Sequence, residues 1–377
     1  MHRDLALFLK EVWTEVNKAG NVFQQINLAN DKIKKTSQEQ AASPGIQRRE
    51  HVTSREPPKP APKPATSIDS PGIKGGSAQW IHTAVYKVYN RFESTHAGIP
   101  QSAVPSWLQA ASKIGAGVTK RTLQGNNGFS DFDEAYSRFA AGSADDEEIA
   151  ALKGGFIHFK SLAAKGEATH RVYINVMPQA GLTLLRFIID NLTRREAPEP
   201  GPELIVGGPP KKKSPLMVAV EREDAFAQKA SLERAARQFS SCKIAGPLNL
   251  GKRSDGILVY CPSDDSARGV VKMLEGAQKA WFAPETPKLT SAVGPPGVGI
   301  SIGAEPPQIN TGIRGTAQQS FGSLRADLIT GAVLEAEFSE RLTTSPADFE
   351  IFCSRVELAF RGNGLDPNAP AYNLAAD

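Results

Sequence analysis

CKIAGPLNLGKRSDGILVYCP, residues 242–262, reads as two short strands joined by a tight turn. Ile244 and Ala245 lie in the first run, and Ile257, Leu258 and Val259 make up the second. Set among these apolar and small residues are Lys243, Lys252, Arg253 and Tyr260. A lysine and a tyrosine on adjacent strands, with an arginine at their mouth, suit a doubly charged anion. The plainer reading has the same groups facing solvent at strand ends, and residue spacing alone leaves both open.

Outward from this pair, the chain alternates. RVYINVM (171–177) is a strand by composition, and Pro178 introduces the strongly apolar helix GLTLLRFIIDNL (181–192). A polar, proline-rich stretch follows, then a strand at 216–221 (LMVAVE) and a helix at 224–239. Beyond residue 262 a helix is expected at 265–281, a strand and turn in GVGISIG (297–303), and helices at 320–335 and 346–362. The glycines of GVGISIG fail the dinucleotide-binding spacing. Helices interleaved with strands, some of them in meander, predict an α+β fold: a mixed, mainly antiparallel sheet flanked by helices.

The N-terminal part is different. Leu5, Leu9, Val12, Val16, Ala19, Phe23 and Ile26 recur at helical spacing, so residues 1–40 read as an amphipathic helical extension. Residues 41–78, with PPKPAPKPATS, have the composition of a flexible Pro-rich linker. The domain proper is expected over 79–377, mostly helical or irregular to 168 and strand-rich from 169. WIHTAVYKVYNRF (80–92) opens it with helically spaced aromatics, and the acidic run at 145–148 marks a solvated helix start.

Composition narrows the function classes. Lys and Arg total 44 against 40 Asp and Glu, and a net charge of +4 is too weak to call for nucleic acid. The 3 cysteines are widely spaced and read as reduced thiols of a cytoplasmic protein. All 6 histidines lie at or before His170, with no HExxH pairing, so neither a zinc site nor a Ser-His-Asp triad is expected, and no cofactor. The first residues lack a secretory signal pattern, and no run is apolar and long enough to span a membrane.

Alternation along the strands then assembles a constellation. Arg171, Tyr173 and Asn175 share one face of their strand, with Val172, Ile174 and Val176 on the other. If strands 171–176, 242–246 and 256–261 are neighbours, one sheet face collects Arg171, Tyr173, Lys243 and Tyr260, with Arg253 at its edge. Arg325 falls in the first turns of a helix that Ser320 can cap. This cationic set suits a phosphate group. With no metal and no histidine expected nearby, hydrolysis lacks a water activator. Elimination needs only a base for the Cα proton and cations for the departing phosphate. A lysine crowded by arginines gives up its proton more easily, which favours a β-eliminating lyase.

Six motifs in order, RVYINVMP (171–178), CKIAGP (242–247), RSDGILVY (253–260), GVGISIG (297–303), SFGSLR (320–325) and GLDPNAPAYN (364–373), resemble the HopA-type effector-like family. That family includes bacterial type III effectors and lyases of lanthipeptide and thioamide-peptide biosynthesis. It is distantly similar to the phosphothreonine lyases. The resemblance implies Lys243 as general base, Arg253, Tyr260 and Arg325 as phosphate-binding residues, and Arg171 as a further cation. Tyr173 stands where the lyases carry a histidine acid, and a phenol with a pKa of about 10 is a poorer donor. The distance from Arg171 to Lys243 also exceeds the family's usual spacing. Either residues 195–240 are an insertion, or 216–221 is the first strand and Arg171 and Tyr173 leave the site.

Two functions follow. One is a carbon–oxygen lyase that eliminates phosphate from phosphoserine or phosphothreonine in a peptide, supplied by a partner kinase in lanthipeptide-like maturation. The other is a type III effector, secreted into a host cell, or a non-catalytic phosphopeptide-binding module.

Overall fold

A computed structural model describes residues 3–17, 75–90, 98–125, 128–162, 167–193, 241–306, 320–335 and 346–374. Its helices, in chain order, are α1 (3–17), α2 (Gly75–Asn90), α3 (Val104–Ala111), α4 (Phe132–Ala140), α5 (Asp146–Gly154), α6 (Gly181–Thr193), α7 (Asp264–Leu274), α8 (Phe321–Glu335) and α9 (Pro346–Gly362). The strands are β1 (Thr119–Gly125), β2 (Gly128–Asp131), β3 (Phe156–Ser161), β4 (His170–Ile174), β5 (Ser241–Ala245), β6 (Ile257–Cys261), β7 (Ser291–Ala292) and β8 (Ile300–Ala304).

The 8 strands form one sheet in the order β2-β1-β3-β5-β6-β4-β8-β7, and the pairings are antiparallel. The expected α+β class, with its mainly antiparallel sheet and N-terminal helix, holds. So does the adjacency on which the constellation depends, because β5, β6 and β4 are consecutive neighbours.

Side chains alternate across this sheet and give it two apolar layers. Val172, Ile174, Cys242, Ile244, Ile257, Val259, Ile300 and Ile302 face a core built with α3, α6 and α7. Helix α6 buries Leu184, Leu185, Ile188, Ile189 and Leu192, each stabilising by about 1.5–3 kcal/mol when taken fully out of water. The Ser263 hydroxyl starts α7 by accepting the Ser266 N–H at 3.1 Å. On the opposite face Tyr173 and Leu258 join a second core made by α1, α2, α8 and α9. The β5–β6 turn locks onto the β4–α6 junction at Gly251. Its φ is +83°, and an added Cβ would lie 2.2 Å from Pro178 Cγ, so only glycine fits.

Several expectations change. The 97–168 region is not helical or irregular throughout, since β1, β2 and β3 lie in it. The acidic run does open α5, with the Asp145 carboxylate accepting the Glu148 N–H at 2.8 Å. The helix expected to reach 281 ends at Leu274, followed by a short turn of 3-10 helix at Lys279–Trp281. Residues 75–78, read as linker, begin α2. The remainder of the linker, the extension beyond residue 17, the strand 216–221 and the helix 224–239 lie outside the described residues.

Candidate functional site

A cavity of about 310 Å³ opens on the face of the sheet that carries the second core, beneath α2 and the start of α8. Arg171, Tyr173 and Lys243 reach it from β4 and β5, and Arg253 and Asp255 from the turn before β6. Leu258 of β6, Tyr86 and Tyr89 of α2, Gln124 of β1, Phe156 of β3, and Ser320, Gly322 and Ser323 at the α8 terminus complete the wall.

Register explains the convergence. Lys243 pairs with Leu258 on one side, Leu258 pairs across β6 with Tyr173, and Arg171 pairs with Tyr260. Lys243 is 9% exposed, and its Nζ lies 4.3 Å from the Phe156 ring centroid and 5.8 Å from that of Tyr260. No carboxylate partners it among the described residues. The guanidinium of Arg253 approaches the same Phe156 ring at 4.9 Å, so this ring carries both cations.

The arginines, by contrast, are committed. Arg171 makes a bidentate pair with Glu305 while stacking 4.9 Å from the Tyr260 ring centroid. Arg253 pairs with Asp255 at 2.7 and 3.0 Å and also donates to the Tyr86 hydroxyl. Desolvation works against both charges, but the phenols of Tyr260 and Tyr173 together with Glu305 outweigh it at Arg171, and Asp255 does so at Arg253, so both pKa values are raised. The pocket expected to hold three arginines and a lysine therefore holds less free positive charge, and Lys243 is its lining cation without a carboxylate partner among the described residues.

Two residues of the constellation lie outside the wall. Tyr260 supports Arg171 and Lys243 from the side. Arg325 is fully buried, its guanidinium 3.4 Å from the Phe321 ring centroid, and it donates to Pro370 O at 2.9 Å and Phe321 O at 3.3 Å. Burial lowers its pKa to about 10. Tyr173 does line the cavity. Burial raises its pKa above the ordinary phenol value, and its hydroxyl has no partner among the described residues. It is a buried, protonated phenol at the cavity wall.

The α8 terminus adds backbone donors. Ser320 Oγ accepts the Ser323 N–H at 3.2 Å, and the first-turn N–H groups give this end partial positive charge. Gly322 lets the turn close on α2, because a Cβ there would sit 2.3 Å from Tyr89 Cε1.

His158 is the residue that sequence reading missed, and it corrects the expectation of no nearby histidine. It stands directly opposite Lys243 on β3, and its Nε2–H donates to Gln124 Oε1 at 2.9 Å. Desolvation, then the charges of Lys243 and Arg171, depress its pKa to about 3, so the ring is neutral. The signal was in FIHFKS (156–161), where Ile157 and Phe159 alternate with His158 and Lys160.

Residues 223–372 match the HopA1 effector protein family. No curated protein matches the chain. Among solved structures, the effector protein from Pseudomonas syringae pv. tomato strain DC3000 is similar at 15% identity, covering 78% of this chain and 90% of its own, with a TM-score of 0.47. The effector protein from Pseudomonas syringae pv. syringae strain 61 is similar at 15% identity, covering 80% and 96%, with a TM-score of 0.46. The HopA-type effector-like resemblance read from the motifs is borne out, and the match that carries it spans residues 223–372.

Proposed function

We propose that the cavity takes a phosphorylated serine or threonine side chain of a peptide or protein and eliminates its phosphate. The observation that carries this reading is Lys243, a nearly buried amine on the cavity wall with no carboxylate partner among the described residues. In its neutral form Nζ removes the Cα proton. The Cα–H electrons form the Cα–Cβ double bond, the Cβ–O bond breaks, and phosphate leaves with that electron pair. Arg171, Arg253 and the α8 terminus hold the phosphate oxygens. The Tyr173 hydroxyl donates to the bridging oxygen, which eases departure without full protonation. Tyr260 and Arg325 act by position, Tyr260 beneath Arg171 and Arg325 behind the wall.

The family match supports the effector class and, with it, delivery into a host cell over a purely cytoplasmic life. Among the described residues no helix is long and apolar enough to cross a membrane. A non-catalytic phosphopeptide-binding effector is the second reading. It is favoured by the two arginines already neutralised by Glu305 and Asp255 and by a phenol in place of a stronger acid.

Incubation with a phosphothreonine peptide separates the two. Mass spectrometry should show loss of phosphoric acid with no water gained. Recovery of threonine, or an unchanged peptide, refutes the lyase reading, and a Lys243→Ala variant that stays active removes the assigned base.

A further inference from the structure

The helical layer of α1, α2, α8 and α9 covers only part of the cavity face of the sheet. Their core takes its fully buried sheet residues from β4 and β6, whereas α4 and α5 pack behind β1 against Leu123. Phe156 of β3 packs against the helical layer, and beyond it, on the cavity side of β1 and β3, the register lays out two rows. Thr122 and His158 continue the row of Lys243. In the next row Lys120 stands directly opposite Lys160, which in turn stands opposite Ser241. Both lysines are exposed, and neither has an ion-pair partner among the described residues.

Like charges directly opposed on neighbouring strands repel. Edge protection does not call for Lys160, because β3 lies between β1 and β5. Nor does fold stability, which the pair opposes. What the arrangement does supply is a basic shelf continuous with the cavity mouth through His158, Gln124 and Phe156.

We propose that this shelf binds acidic side chains flanking the phosphorylated residue, so that the substrate is a phosphopeptide with Asp, Glu or further phosphoresidues on one side. This rests on the phosphoresidue occupying the Lys243 cavity. The spacing follows from sheet geometry. Strands are about 4.8 Å apart and rise about 3.3 Å per residue, which places Lys160 about 8 Å and Lys120 about 12 Å from Lys243. An extended peptide covers that in about two to four residues.

The test uses fluorescent peptides carrying a phosphonate analogue of phosphothreonine, whose carbon–phosphorus link cannot be eliminated, so binding is read apart from chemistry. One peptide has glutamates two to four residues away, a second has them on the other side, and a third has glutamines. One glutamate peptide should bind about three- to tenfold tighter than the glutamine peptide at low salt, and the margin should shrink as salt rises. Lys120→Gln/Lys160→Gln should abolish the margin, leave the glutamine peptide's affinity unchanged and raise the melting temperature. Equal binding of all three peptides, or a margin that survives the double substitution, overturns the shelf even if phosphate is eliminated. A margin abolished by the double substitution, with no elimination from the true phosphopeptide, keeps the shelf and refutes the lyase.

Discussion

Replacing Lys243 by methionine separates chemistry from stability. A general base contributes about 10²–10⁴ in rate, or about 2.7–5.5 kcal/mol of barrier, so elimination should fall by that factor. The fold should barely notice. Methionine keeps most of the stem's packing between Phe156 and Tyr260. The cation–π contact at 4.3 Å is worth about 0.5–2 kcal/mol, and its loss is offset by removing a desolvated cation that no carboxylate among the described residues neutralises. The net change should lie within about 1 kcal/mol, a melting shift of about 1–2 °C for a domain of this size. Inorganic phosphate supplies a second readout. At a hundred times its dissociation constant it should stabilise the wild type by about 2.7 kcal/mol, and the Lys243→Met variant much less. Two results refute the reasoning: elimination within tenfold of wild type, or a variant that has unfolded, which would make Lys243 a structural residue.

The arginines should behave in the opposite way. Arg171→Met leaves Glu305 charged and desolvated beside β4, so it should destabilise by about 3–5 kcal/mol in chemical denaturation, and Arg171→Met/Glu305→Gln should recover most of that. The folded pKa of His158, about 3, lies below its unfolded value near 6.5, so the unfolded chain binds the extra proton between those pH values. Its contribution is therefore absent above about pH 6.5, and it costs up to about 4 kcal/mol as pH falls to 3. His158→Gln should flatten this limb in pH-dependent urea melts, and an unchanged slope would show that the ring is not held neutral. Gly322→Ala should drive Tyr89 out of place, destabilising by about 1–3 kcal/mol and weakening phosphate-induced stabilisation. A variant that melts like wild type would refute the close approach.

Strands β4, β5 and β6 and helices α6, α8 and α9 were legible in the sequence because both faces of these strands, and broad stripes of these helices, are buried. Continuous apolar runs are the signal that burial on two sides leaves behind. β1 reads TKRTLQG and buries little besides Thr119 and Leu123, so its pattern is that of a solvated segment. The same one-sided burial hid β3 and, with it, His158.

Within the site, Arg171, Tyr173, Lys243 and Arg253 could be placed together from alternation alone, since a period of two fixes which side each faces once neighbours are assumed. The free charge of the pocket could not be read in this way. Glu305 lies 134 residues from Arg171, and nothing local to either announces their pairing. Arg325 looked equivalent to the other arginines, yet α8 turns it onto Phe321 and the carbonyl of Pro370. The sequence by itself determined β4, β5 and β6, their faces and the inventory of cations. Only the tertiary structure decided which cations remain unpaired, because charge compensation depends on contacts between segments far apart in the chain.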